Sequence, residues 1–286
     1  MHRIFLGALA ALFSFAQLSA AGIQPVKSVL LYPQGQNVDC GIVEDGAAVT
    51  LGPLESNGWD GTLNENPKRP EVYDHVADGA RMDIYLPKHP NGQMVVVCPG
   101  GGYWNVCSNH EGSKVAAWMA ERGIATCVLI YRLPNHHCEV PLRDVQNAFR
   151  YCRHHAAEWG VRQIGVMGFS AGGHLAASAS TLFVDDVTRP DFSVLVYPVI
   201  TFGIATHGGT RGNLLPEGGD DKLLEYYSLE NRVTSDTPPA FLVLSQDDGA
   251  VPPVNSISYY TRLSECGVKG ELHIFTEGGH GWGFGP

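Results

Sequence analysis

Apolar and polar positions alternate in Arg81-Met82-Asp83-Ile84-Tyr85-Leu86 up to Pro87, which predicts a strand buried on one face. Downstream the pattern changes to continuous apolar runs: Met94 to Cys98, Ile124 to Tyr131, Ile164 to Met167, Phe192 to Tyr197, Ala240 to Ser245 and the shorter Leu272 to Phe275. Runs of this kind, rich in Val, Ile and Leu, suit strands covered on both faces of a parallel sheet. Between them lie segments of helical period, Glu111 to Arg122, Val140 to Trp159, Ala171 to Leu182 and Pro253 to Cys266. Strand and helix in alternation predict an α/β fold, a single domain with a mainly parallel sheet and helices on both faces. Two stretches stand apart. Gly22 to Pro70 has weak periodicity and is expected to wrap the surface, and the Gly-rich Thr201 to Asp220 reads as an inserted loop near a strand end.

The first 21 residues read as a signal peptide, leaving residues 22–286 as the domain. His2 and Arg3 give a basic start, Ile4 to Phe15 is almost wholly apolar, and Ser19-Ala20-Ala21 supplies small residues for cleavage. The apolar run falls short of the ~20 residues that a membrane-spanning helix needs. The expected product is exported, secreted or periplasmic, with no membrane association after cleavage. With 44% hydrophobic and 17% charged residues, a disordered or fibrous class is excluded. A formal charge of −10 without a basic stripe makes nucleic acid a poor partner. Seven cysteines form no compact framework and no Cys-x-x-Cys, so a structural zinc site is unsupported. Cys98 and Cys127 read as small buried hydrophobes, while a Cys107–Cys138 bridge between neighbouring loops stays open. His136-His137-Cys138-Glu139 carries metal-ligand types, but adjacent ligands point apart in extended chain, so no metal is expected.

Gly168-Phe169-Ser170-Ala171-Gly172 follows the run Ile164 to Met167 and precedes a small-residue helix. A nucleophile elbow requires that order: a tight strand-to-helix turn that lifts a serine hydroxyl above the sheet at a helix N-terminus. The remaining partners follow in the order Ser, acid, His. Asp247 and Asp248 come after the run ending at Ser245, and His280 lies in Gly278-Gly279-His280-Gly281 after Phe275. An imidazole there takes the Ser170 proton, and a buried carboxylate fixes its tautomer. Asp247-Asp248-Gly249-Ala250-Val251-Pro252 resembles an Asp-x-x-Val-Pro pattern with the acid four residues before the proline. That selects Asp248 and leaves Asp247 to bond the turn backbone. Upstream, Gly100-Gly101-Gly102 ends the run Val95 to Cys98. No Lys-Ser/Thr follows, so the loop is no phosphate-binding P-loop. Gly101 and Gly102, with Ala171, are the candidate N–H donors to an oxyanion.

With these residues the chain resembles the α/β-hydrolase superfamily of esterases and lipases, whose loop often reads His-Gly-Gly-Gly where this chain has Pro99. Pro99-Gly100-Gly101-Gly102-Tyr103, His110-Glu111-Gly112, Tyr131-Arg132-Leu133-Pro134, Gly172-Gly173-His174 and Tyr197-Pro198-Val199-Ile200 are similar to secreted bacterial carbohydrate esterases, the acetyl xylan and feruloyl esterase relatives. The likeness runs from about Val29 to the end; only six residues follow His280, so a closing C-terminal helix is expected to be missing. It implies a serine esterase acting on an acylated carbohydrate, with O-acetyl groups on plant polysaccharides or oligosaccharides first and feruloyl groups second. No cofactor is expected. A prolyl-oligopeptidase-like exopeptidase and a non-catalytic binding protein on the same fold are the competing classes. Tyr103, Trp104 and Trp282 are candidate walls of an acyl pocket, with core packing as the alternative. His207 and Arg211 are candidate sugar contacts, with loop-stabilising bonds as the alternative. His110 and Glu111 read as capping or pairing groups at a helix start. The sequence does not speak to the oligomeric state.

Overall fold

A computed structural model describes residues 24–32, 43–44, 47–48, 64–74, 76–77, 80–216 and 220–284. The expected signal peptide and Cys40 lie outside the described residues. In chain order the elements begin with β1 (Lys27–Leu30), β2 (Val43–Glu44), β3 (Ala47–Ala48), β4 (Asn64–Glu65), β5 (Val72–Asp74) and β6 (Arg81–Tyr85). Then come β7 (Gln93–Cys98), β8 (Asn105–Cys107), a π-helical turn Asn109–Ser113, α1 (Lys114–Ala120), β9 (Ala125–Ile130) and α2 (Val140–His155). They continue with β10 (Gln163–Phe169), α3 (Ser170–Thr181), β11 (Ser193–Val196), α4 (Gly208–Leu214) and α5 (Asp221–Tyr226). A 3-10 turn Leu229–Arg232, β12 (Ala240–Ser245), α6 (Val254–Glu265) and β13 (Gly270–Phe275) complete the series.

The main sheet runs β1-β6-β9-β7-β10-β11-β12-β13. From β9 to β13 every pairing is parallel, as the continuous apolar runs require, with Val96 opposite both Cys127 and Val166. β6 pairs antiparallel with both β1 and β9, and the expected burial on one face is not what forms: Met82, Asp83, Ile84 and Tyr85 are all buried, Asp83 because it accepts from Ser28 at 2.6 Å and Arg81 at 2.9 Å. β7 lies between β9 and β10, so its two flanking crossovers leave in opposite directions. Loops at the carboxyl ends of β7 and β10 therefore face one crevice, the place where open α/β sheets put their sites.

Local chemistry accounts for the helices. α2 opens with Pro141 in its first turn and closes on Arg153, His154 and His155, which complement its dipole. α3 is wrapped on every side, packed on β10 and β11 and against α2, which is why its residues are small. Tight packing under the elbow explains the glycines: a Cβ on Gly168 would fall 2.1 Å from the Gly172 carbonyl oxygen, and one on Gly172 2.1 Å from that of Cys98. Burial on both faces, expected for Leu272 to Phe275, does not hold: at the far rim β13 is paired on one side only, has no buried residue, and Phe275 is 53% exposed.

Several expectations need correction. The Gly-rich stretch holds a helix, α4, capped by His207, whose Nδ1 accepts from the Thr210 amide at 3.1 Å. The segment 22–70 contributes an edge strand, β1, antiparallel to β6. The Cys107–Cys138 bridge is not formed: both are thiols, with Cys107 held in β8 and Cys138 in the turn before α2. Among the described residues no helix is long and apolar enough to cross a membrane.

An ion pair without solvent contact ties the N-terminal segment to α2. Arg132 and Asp144 are both 0% exposed at their side chains, with Nη2 2.6 Å from Oδ1. The Arg132 amide donates to Oδ2 at 2.7 Å, Tyr32 donates to Oδ1 at 2.7 Å, and Asn147 donates to Tyr32 at 2.8 Å. Removing one partner of such a set strands a buried charge, at about 3–5 kcal/mol. Asp144→Asn is expected to lower the unfolding free energy by that amount in urea titration. A loss below about 1 kcal/mol would show that the set contributes no more than an ordinary surface pair.

Candidate active site

Ser170 sits at the joint between β10 and α3 with φ +53, a strained conformation for a side chain with a Cβ. Its Oγ lies 2.8 Å from His280 Nε2, and His280 Nδ1 lies 2.7 Å from Asp248 Oδ2. The tautomer follows from the partners. A carboxylate only accepts, so Nδ1 carries the proton and donates to Asp248, leaving Nε2 to accept from the Ser170 hydroxyl. Asp248 is shut away from solvent at its side chain, and its second oxygen, Oδ1, accepts from the amides of Ala250 and Val251 at 2.9 and 2.8 Å. The turn Asp-Gly-Ala-Val thus fixes one oxygen and aims the other at the imidazole.

Asp247 does something different from what the spacing suggested. It bonds the other loop, accepting from the Gly279 amide at 2.8 Å and the Gly278 amide at 3.3 Å. These bonds hold the carboxyl of the exposed Asp247 below the usual range, the Gly279 amide contributing most. It anchors the glycines before His280 rather than its own turn.

Gly101 and Gly102 follow β7 with φ +131 and +65. Among the described residues, the amides of Gly101, Gly102 and Ala171 donate to no acceptor. The loop is propped from behind. Tyr131 donates to the Pro99 carbonyl at 2.7 Å, Asn213 of α4 donates to the Gly102 carbonyl at 2.8 Å, and the Gly100 amide donates to Glu111 Oε2 at 2.7 Å.

The three rings expected to wall one pocket part company. Tyr103 is 2% exposed and bonds His174 Nδ1 at 3.1 Å, so it belongs to the core and not to a pocket wall. His174 stacks on Phe202 at 4.5 Å, and burial pushes its pKa down to about 4. Trp104 is 57% exposed beside the oxyanion loop. Trp282 is partly buried, edge-on to Tyr197 at 4.7 Å, and donates to Ser245 Oγ at 3.1 Å. Arg211 donates to the Phe202 carbonyl at 3.1 Å, which is the loop-stabilising role. His207 lies over the oxyanion loop, its Cε1 3.8 Å from where a Gly102 Cβ would stand. Partial burial lowers its pKa, helped by His280 and opposed by Asp248. Because Nδ1 accepts from an amide, the neutral ring carries its proton on Nε2, a donor with no bond among the described residues.

Two buried groups near the relay were not singled out as functional from sequence. Tyr197 lies edge-on to His280, ring centroids 4.8 Å apart, and donates to Glu111 Oε1 at 2.8 Å. Glu111 itself is 3% exposed. The only sequence signal for either was membership of motifs shared with the carbohydrate esterases.

Comparison with known proteins adds a family frame. The family model described as BD-FAE matches residues 82–189, from β6 past the elbow. An acetylxylan esterase of Xylanibacter ruminicola is 41% identical over 213 residues, 72% of this chain and 44% of that protein. An endo-1,4-beta-xylanase B of Butyrivibrio fibrisolvens is 36% identical over 205 residues, 65% of this chain and 32% of the other. The chain therefore spans less than half the length of these curated relatives. Among solved structures, an acetyl ester-xyloside bifunctional hydrolase from Caldicellulosiruptor lactoaceticus superposes with TM-score 0.72 at 32% identity, covering 93% of this chain and 90% of that one.

Proposed function

Because this chain belongs to the carbohydrate esterases of the α/β-hydrolase superfamily, we propose that it hydrolyses carboxylic esters, removing O-acetyl groups from plant polysaccharides or oligosaccharides. The observation that carries the reading is the hydrogen-bonded relay Ser170–His280–Asp248 at 2.8 and 2.7 Å, placed where the amides of Gly101, Gly102 and Ala171 are left to donate. Acyl transfer needs those parts together: a nucleophile, a base with an oriented tautomer, and donors for developing negative charge.

Ser170 Oγ attacks the ester carbonyl carbon while its proton passes to His280 Nε2. The three amides hold the oxyanion of the tetrahedral adduct, and Asp248 stabilises the imidazolium. Collapse of the adduct breaks the bond to the sugar oxygen, which leaves as the alcohol with the proton from Nε2. Water then repeats the sequence on the acyl-Ser170 carbonyl and releases the carboxylic acid. His207 offers a sugar oxygen its Nε2–H at the mouth of the loop, and Trp104 offers a ring face. The apolar amino terminus fits an enzyme that acts outside the cytoplasm on a polymer that does not enter cells.

Acetyl over feruloyl rests on the named activities of the relatives, since Tyr103 does not narrow the pocket. Comparing kcat/KM for p-nitrophenyl acetate and methyl ferulate, with acetate release from acetylated xylan, tests the preference. The acetyl ester is expected to be favoured about tenfold or more, the scale of a group that cannot be seated. Faster ferulate turnover without acetate release would transfer the assignment to feruloyl esters. Turnover of aminoacyl-nitroanilides alone would transfer it to the exopeptidases, and no turnover of any ester would leave a binding protein.

A further inference from the structure

Glu111 is a buried carboxylate outside the catalytic relay, and its surroundings connect both halves of the site. It sits in the π-helical turn Asn109–Ser113, where the Ser113 amide reaches back to the Ser108 carbonyl at 2.7 Å. Such wide turns recur at functional sites. Oε2 accepts from the Gly100 amide at 2.7 Å, directly before the oxyanion glycines, and Oε1 accepts from the Tyr197 hydroxyl at 2.8 Å. Tyr197 in turn accepts from the Gly283 amide at 2.8 Å, three residues after His280. The same turn holds that loop a second time, through the Phe284 amide on the His110 carbonyl at 2.9 Å.

The direction of this chain is determined by its ends. Amides only donate, so Tyr197 accepts from Gly283 and has its single proton left for Glu111, while Gly100 supplies the other oxygen. All protons run toward the carboxyl group, which is the pattern an ionised acceptor requires. Burial is the largest influence and pushes its pKa up from the usual carboxylate value, while the bonds from Tyr197 and Gly100, with His110 and His280 nearby, oppose that rise. Gly100 is packed between the carboxylate and Ser170. A Cβ on Gly100 would stand 2.8 Å from Glu111 Oε2 and 3.0 Å from Ser170 Cβ. An apolar side chain would fill this space without a buried charge, so packing alone does not explain the residue.

We propose that Glu111 is a positioning residue for ester hydrolysis: one carboxylate aims the oxyanion loop through Gly100 and seats the His280 loop through Tyr197. The proposal rests on the hydrolase reading above. It makes the relative placement of base and oxyanion donors depend on a single group that touches neither substrate nor reacting atom.

Glu111→Gln keeps the shape and replaces one acceptor by an N–H₂ donor, and Tyr197→Phe keeps the ring and deletes the bridge. Both are expected to lower kcat on p-nitrophenyl acetate by about tenfold or more with KM changed less than twofold, because misaligned parts still bind substrate. The double variant is expected to be no worse than the poorer single one, since both cut the same connection. Affinity for phenylboronic acid, which forms a tetrahedral adduct on the serine, is expected to fall in step with kcat/KM. Amide exchange is expected to quicken at Gly100 and Gly283 in Glu111→Gln, and at Gly283 in Tyr197→Phe. A rise in KM with kcat kept, fully additive losses, or unchanged exchange at both amides would overturn the proposal. A wild type that turns over no ester would sink the hydrolase reading instead, and the exchange measurement would then decide by itself whether Glu111 ties the two loops.

Discussion

Ser170→Ala is expected to yield a folded protein whose turnover of p-nitrophenyl acetate is lower by about 10³-fold or more, because the members of such a relay act as a unit. The fold tolerates the change for a specific reason. Ser170 Oγ is hydrogen-bonded to His280 and fills no hole in the core, and alanine meets the same backbone cost at φ +53 as serine does. Stability is therefore expected to move by no more than about 1 kcal/mol, the range of substitutions that open no cavity and strand no charge. Steady-state kinetics and a thermal melt on the same preparation read both quantities. An alanine variant that keeps a tenth of the wild-type rate would remove Ser170 from the mechanism.

The adjacent aspartates are expected to separate by several orders of magnitude. In Asp248→Asn, the amide oxygen can keep the bonds from Ala250 and Val251, which turns the Nδ2 donor toward the imidazole. Two donors then face each other, and His280 must carry its proton on Nε2 to accept at Nδ1. That tautomer cannot receive the Ser170 proton, and the expected loss in kcat is about 10⁴-fold. Asp247→Asn keeps the 2.8 Å bond to Gly279 and forfeits a weaker one at 3.3 Å, so less than about tenfold is expected. Equal losses would mean that the Gly278–Gly279 anchor matters as much as the relay. A greater loss at Asp247 would move the acid to that residue.

Much of this site was legible in the chain because its parts are local and ordered. The elbow announces itself by glycines either side of Ser170 between an apolar run and a small-residue helix, and the acid and base follow at two later strand ends. The interior strands were legible for a similar reason, since a parallel strand covered on both faces is almost wholly apolar, whereas β13, read from the same kind of run, lies at the rim with no buried residue. What escaped is tertiary. Gly208-Gly209-Thr210-Arg211-Gly212 has poor helix propensity, and α4 forms because His207 caps it and Asn213 docks on Gly102. Tyr103 follows the oxyanion glycines and reads as a pocket wall, yet it continues the left-handed turn at φ +58 and its hydroxyl meets His174 in the core. Glu111 and Tyr197 are 86 positions apart, and nothing along the chain says that they meet.

The rim position of β13 bears on how the molecule fails under heat. Ser170 and Asp248 follow β10 and β12, interior strands paired on both sides, whereas His280 follows a strand paired on one side with no residue wholly out of water. Opening free energies differ across a domain, and poorly covered edges lie at the low end. Fraying would therefore begin in the segment that carries His280 while the interior stays cooperative. The bonds that Gly279, Gly283, Trp282 and Phe284 donate to Asp247, Tyr197, Ser245 and His110 act as stitches across that seam, fastening the final turn to neighbouring chain. On heating, loss of the Ser170–His280 bond is then expected as a local event at the sheet's border, ahead of melting of the whole.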